Sequence, residues 1–178
     1  MRRWRPLGRA RFRPSTRTVG QFPATPGNGC LKRASGRSVL VYSGLFLAED
    51  QGVLRTLARK ADAGVRVRIL LGDPDSEFVA QRGADEGIDD AMGARIRNVL
   101  VLFRPLRALA GVDVRLHRTV LYNSIYVADD QALVNSHIYG VAAANAPVLH
   151  LRKVAGGDML ATYVESFEHV WDGAAPVE

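Results

Sequence analysis

Two short β-prone runs, "SVLVY" at 38–42 and "VRVRILL" at 65–71, bracket the segment "AEDQGVLRTLARKADAG" with almost nothing between them. This pattern limits the fold more than any other feature of the chain. Within the middle segment Val53, Leu54, Leu57, Ala58 and Ala61 fall on one helical face. Glu49 and Asp50 stand at its start, Arg59 and Lys60 in its last turn, and Gly64 just past its end. Acid first, base last and a trailing glycine all suit a helix. Two strands joined through one helix with short joints form a right-handed crossover, so they are expected to lie parallel. The chain therefore reads as α/β.

The remaining segments extend that unit. "GDPDSE" leaves the second strand at its C-terminal end, where open α/β sheets place ligands; its aspartates either face a site or build a turn. "DEGIDDAMGARIRNVLVLF" predicts a second helix over 85–103, with Ile88, Met92, Ile96, Val99 and Phe103 as its buried stripe and Pro105 limiting it. "VDVRLH" predicts a strand, and residues 117–140 a hairpin turning at Asp129 and Asp130. "APVLHLRKV" is a further strand. "GDMLATYVESFEHVW" is a closing helix with Leu160, Tyr163, Val164, Phe167 and Trp171 inward. The expectation is a single layered domain over residues 31–172, a mixed β-sheet flanked by helices, with a tail at 173–178.

A net charge of +6 over 178 residues misleads until it is divided. Residues 1–37 hold ten Lys or Arg and no acid, whereas residues 38–178 hold fourteen basic residues against all eighteen acids, a net of −4. Basic character thus belongs to the N-terminus. Residues 1–30 mix Arg with Pro, Gly, Ser and Thr without period, which predicts a disordered tail. Arg2, Arg3, Arg5, Arg9 and Arg11 in it are candidates for holding nucleic-acid phosphates; the other reading is a solvated tail. No helix-turn-helix pattern can be read there. The single Cys30 excludes an internal disulfide, which suits a reducing, cytoplasmic setting. Four separated histidines and one cysteine make no zinc pattern, and no metal or cofactor is expected. No apolar run of about 18 residues exists to span a bilayer, and the start has no apolar stretch of a secretory signal.

Chemistry-bearing residues concentrate in "HRTVLYNSIYVADDQALVNSHIYG" (117–140). His117, Tyr122, Asn123, Ser124, Asp129, Asn135, Ser136 and His137 are the candidate ligand-binding residues. The bland alternative is hairpin polarity. Tyr122, Tyr126 and Tyr139 on an alternating hairpin read as core or cross-strand pairs, and Asp129–Asp130 as a solvated turn. His150 and His169 read as structural.

The order "VLVYSGLF", helix, "AGVRVRILL", then a strand pair ending in a Ser/Asn-rich corner resembles one half of a phospholipase D superfamily fold. That superfamily carries H-x-K-x4-D followed by a Gly-Ser-x-Asn corner. Its histidine attacks a phosphodiester, its lysine holds the phosphate charge, and two half-sites meet across a pseudo-dyad or a homodimer. Anchored on the hairpin turn, Asp129 takes the aspartate place, Tyr122 the histidine and Ser124 the lysine, with Asn135, Ser136 and His137 near the corner. Anchored on His117, Thr119 replaces the lysine and Ser124 the aspartate. At least two of three signature residues are missing either way. More closely, "VYSGLFLAED", "GVRVRILLGDPDS", "RGADEGIDDAM", "RLHRTVLYNSIYVADD", "LVNSHIYG" and "APVLHLRKV" resemble a phospholipase D-like domain found C-terminal to the helix-turn-helix of bacterial XRE-type transcriptional regulators.

Loss of the signature has a chemical meaning. Serine or tyrosine attacks only when a neighbouring base activates it, and neutral Ser124 or Thr119 cannot supply the lysine's charge. Arg82, Arg95 or Arg118 would have to stand in from elsewhere. The resemblance therefore implies a non-catalytic sensory or effector domain, a pseudoenzyme binding a small phosphorylated or nucleotide-like ligand or a protein partner. Two rivals stay open. One is an active phosphodiesterase or nuclease using His117 and His137 across a homodimer; the other is DNA binding through the arginine-rich arm.

Overall fold

In the computed structural model, which describes residues 36–177, strand β1 (Arg37–Leu40) and strand β2 (Val67–Gly72) lie parallel, as the crossover demands. The connection is two helices, α1 (Leu45–Glu49) and α2 (Gln51–Asp62), rather than one. Asp50 divides them: its carboxylate accepts from the amides of Gly52 at 2.8 Å and Val53 at 3.1 Å. The acid read as a favourable charge near the helix start is thus an N-cap.

The second crossover departs further from expectation. It holds α3 (Glu77–Asp85), α4 (Ala91–Leu102) and α5 (Arg104–Arg107) before β3 (Val112–His117), which pairs parallel with β2. Ser76 caps α3 by accepting from Val79 N at 3.2 Å. The helix expected from residue 85 starts only at Ala91, because Gly87 (φ 69°) and Asp89 (φ 43°) take left-handed backbone between α3 and α4. Met92, Ile96, Val99 and Phe103 are buried as expected, with Ile88 packed at the margin. Helix α4 ends at Leu102, ahead of Pro105, which sits in the first turn of α5, where its missing N–H costs nothing.

Strands β4 (Asn123–Ala128), β5 (Gln131–Ser136) and β6 (Val148–Arg152) form an antiparallel meander, and β4 joins β1 antiparallel. The β4–β5 turn is Asp129–Asp130, with Asp129 at φ 57°. Helix α6 (Met159–Asp172) follows, then β7 (Ala175–Pro176), antiparallel to β3. Residues read as a C-terminal tail therefore close one edge of the sheet, with Val177 N bonding Val114 O at 3.2 Å. The result is a seven-stranded mixed sheet of order β6-β5-β4-β1-β2-β3-β7 flanked by helices.

Alternation along β2 shows how the two faces differ. Val67, Ile69 and Leu71 are wholly buried on one face, while Arg68 points to the other, beneath α6. There Arg68 makes a bidentate pair with Glu168, at 2.7 and 2.6 Å, and its guanidinium lies 4.8 Å from the Phe167 ring centroid. Arg115 lies 4.2 Å from the Trp171 ring centroid and donates to the Trp171 carbonyl at 3.3 Å. Cation–π contact and helix-end charge together fix α6 on the sheet. Phe167 and Trp171 are buried, and Leu160, Tyr163 and Val164 half-buried, in line with the expected stripe. No helix among the described residues is long and apolar enough to cross a membrane.

Candidate functional site

The C-terminal ends of β1, β2 and β3 meet the start of β4 and the end of β5 at one edge. Gly72 N bonds Tyr42 O and Asp73 N bonds His117 O, both at 2.9 Å, so the three parallel strands stay tied past their ends. Gly72 is needed for this closeness. A Cβ there would stand 2.7 Å from Val79 Cγ2 and 3.2 Å from the Tyr42 ring.

Tyr42 organises the corner. Its ring centroid lies 5.8 Å from that of His117 and 5.5 Å from that of His137, stacked on the latter. Its hydroxyl accepts from Leu121 N at 3.0 Å. Burial raises the hydroxyl's pKa, so it stays protonated.

Each imidazole is a neutral bridge. His117 Nε2 stands 3.1 Å from the Val41 carbonyl, which can only accept, so Nε2 carries the proton. The bare Nδ1 accepts from Thr119 N at 3.4 Å. Burial, at 1% exposure, pulls the pKa of His117 down to about 4, against the opposing effect of these backbone bonds and of Asp73. His137 takes the other tautomer: Nδ1 donates to Leu121 O at 3.0 Å, and Nε2 accepts from the Ser124 hydroxyl at 2.9 Å. Burial first, and the Arg82 charge besides, lower its pKa to about 4.

Ser124 faces Asn135 across the β4–β5 ladder and also interacts with the Tyr126 hydroxyl, whose pKa is raised by burial. Asn135 donates through Nδ2 to Ala143 O at 2.9 Å, and its Oδ1 has no hydrogen-bond partner among the described residues. Arg82, from α3, is buried and pairs with the buried Glu86 at 2.6 Å. It also donates to Val141 O at 3.4 Å, in the β5–β6 connection.

The structure thus brings together His117, Ser124, Asn135 and His137, with Asn123 and Ser136 paired beside them. It does not bring in Asp129, which lies at the opposite end of the hairpin and pairs with Arg37 at 2.8 Å. Tyr122 and Tyr139 are neither core nor cross-strand partners; they are 78% and 83% exposed on the two loops that cap the corner. Arg2, Arg3, Arg5, Arg9 and Arg11 lie outside the described residues. Of the stand-in cations, Arg82 reaches the corner, while Arg118 lies 3.9 Å from Asp73 at the exposed rim. Tyr42, Glu86 and the backbone of Leu121 were not singled out from sequence: Tyr42 and Leu121 act through contacts distant in the chain, and Glu86 acts through Arg82, one helical turn away.

An open hollow of about 600 Å³ lies at the other end of β2 and β3, lined in part by Arg66, Arg68, Arg115 and Trp171. No group of three or more His, Cys, Asp or Glu able to hold a metal occurs among the described residues.

These features define a mixed α/β sheet domain with a buried, hydrogen-bonded polar corner at the ends of its parallel strands. Residues 41–178 match the family described as a domain of unknown function, DUF5919, and the chain belongs to that family. No curated protein matches it. Among solved structures it is similar to TrmBL2, an archaeal chromatin protein whose structure is described as showing a novel mode of DNA binding. That similarity has 13% identity and a TM-score of 0.48, and covers 80% of this chain but 45% of that one. The chain thus spans less than half the length of that relative.

Proposed function

We propose that this is a non-catalytic phospholipase D-like sensory or effector domain, related to those of transcriptional regulators, that binds a small phosphorylated or nucleotide-like ligand at the strand-end corner. One observation carries the reading: both imidazoles are consumed as neutral bridges. A nucleophile needs a lone pair aimed at substrate. His117 spends its lone pair on Thr119 N, and His137 spends its own on Ser124. The charge that phosphoryl transfer requires is also reduced, because Arg82 is shared with Glu86. Binding asks less, since amide, hydroxyl and guanidinium groups can hold a phosphate or sugar without attacking it.

A protein partner is a second reading, favoured by the exposed Val120, Tyr122, Ile138 and Tyr139 on the two capping loops. Exposed aromatic rings are frequent anchors of interfaces.

The test is incubation of the purified chain with a bis-aryl phosphodiester and with single- and double-stranded DNA. No turnover above buffer is expected. Turnover that disappears in His117→Ala or His137→Ala would establish the active phosphodiesterase instead.

A further inference from the structure

Residues 137–147, "HIYGVAAANAP", run from β5 to β6 across the corner. Two buried side chains hold this strap from below, and they grip it two residues apart: Arg82 at Val141 O and Asn135 at Ala143 O. Neither is fully matched. The Arg82 contact is long, at 3.4 Å, and its acceptor is a neutral carbonyl. Asn135, 2% exposed, leaves its Oδ1 without a donor. Buried acceptors are nearly always paired, so an orphan marks a place where another donor belongs.

Beyond His137, which the corner holds, the strap is lightly anchored. Ile138, Tyr139, Gly140, Ala142, Ala144 and Asn145 are exposed, and Ala146 is its one buried residue. Gly140 takes left-handed backbone at φ 72°, with nothing near its Cβ position. Segments with few buried apolar contacts open at low cost.

We infer that residues 138–147 form the closed lid of a ligand site whose fixed wall is Arg82 and Asn135, and that the site takes a phosphorylated sugar, free or within a nucleotide. The inference rests on the ligand-binding reading above and names its ligand class. An oxyanion replacing Val141 O converts a long neutral contact into a charge-assisted one. A sugar hydroxyl supplies the donor that Asn135 Oδ1 lacks. Glu86 pairs with the same Arg82 nitrogen at 2.6 Å, and its negative charge beside the site disfavours a chain of phosphates relative to one. Both strap contacts break together when the lid lifts, because their acceptors are carbonyls two residues apart in one short segment.

The experiment uses the full chain with ribose 5-phosphate and with adenosine 5′-monophosphate, and with ribose and inorganic phosphate as half-ligand controls. Binding is followed by calorimetry and by hydrogen exchange of the 141–146 amides. A phosphorylated sugar is expected to change exchange across the strap, where neither half-ligand alone does so comparably. Asn135→Ala and Arg82→Lys are each expected to weaken binding about tenfold, the latter by losing the guanidinium fork while keeping the charge. Tighter binding of the nucleotide than of the sugar phosphate supports a nucleotide as ligand, and equal binding supports the sugar phosphate. Unchanged strap exchange with both probes, or unchanged affinity in both variants, overturns the inference. Absence of binding by both probes overturns the inference while, without phosphodiester turnover, the non-catalytic reading stands; turnover removes that reading itself.

Discussion

The Ser124 hydroxyl donates to His137 Nε2 at 2.9 Å, and the opposite nitrogen of the same ring donates to the Leu121 carbonyl at 3.0 Å. This geometry resembles that of a serine activated by an imidazole, with a carbonyl orienting the ring. Two features argue against that role: Ser124 is only 4% exposed, and burial has weakened His137 as a base. The pair is a bridge between β4 and the end of β5. A fluorophosphonate probe is expected to leave the chain unlabelled by mass spectrometry. Labelling at Ser124 would show the serine to be a nucleophile. Ser124→Ala strands the His137 lone pair in a buried site, and is expected to cost about 1–3 kcal/mol in urea unfolding.

Acid should weaken the fold through its two buried imidazoles. His117 and His137 hold native pKa values of about 4, against an ordinary 6.5. Between those values the unfolded chain takes up protons that the native chain refuses, so stability falls as pH drops through this window. The loss is on the order of 3 kcal/mol per ring when complete. Glu168, held below its usual range by Arg68, adds its loss only at lower pH. Urea midpoints measured from pH 7 to 4.5 should show the decline, and His137→Gln should remove a share of the slope.

The contacts beneath α6 differ in weight. Glu168 is 41% exposed, so solvent screens its pair with Arg68, and Glu168→Ala is expected to cost about 1 kcal/mol or less, reduced further by salt. Trp171 is buried against two guanidinium groups, and Trp171→Ala is expected to cost about 3–5 kcal/mol. Unfolding of both variants at low and high salt separates the two contributions.

Gly72→Ala tests the packing that supports the corner. The added methyl meets Val79 and the Tyr42 ring, so a loss of about 1–3 kcal/mol is expected. Displacement of Tyr42, seen as shifted ring resonances of His117 and His137, should accompany it.

Elements with strong periodicity were legible in the sequence. The β1–β2 crossover, the hairpin with its Asp129–Asp130 turn and α6 all carry apolar residues at regular spacing. Helix α3 was not legible, because its buried residues are Val79, Arg82 and Gly83, only one of them a large apolar side chain. The shortened α4 follows from left-handed backbone at Asp89, which its residue type does not announce. At the corner, His117, Ser124, Asn135 and His137 could be named from one stretch of chain. What holds them could not: Tyr42 lies 79 residues from the Leu121 amide it accepts, and Arg82 lies 59 from Val141. Asp129 was misplaced for a related reason. Motif spacing alone did not reveal that β4 carries it to the Arg37 end of the sheet.

Imidazole nitrogen chemical shifts, followed from pH 7.5 to 4.5 on a uniformly labelled chain, test most directly whether the corner is locked. The expected result is two neutral rings of fixed and opposite tautomer, protonated on Nε2 in His117 and on Nδ1 in His137, with neither titrating before pH approaches 4. Averaged tautomers in either ring, or titration near 6.5, would contradict it by showing an imidazole still free to exchange its proton.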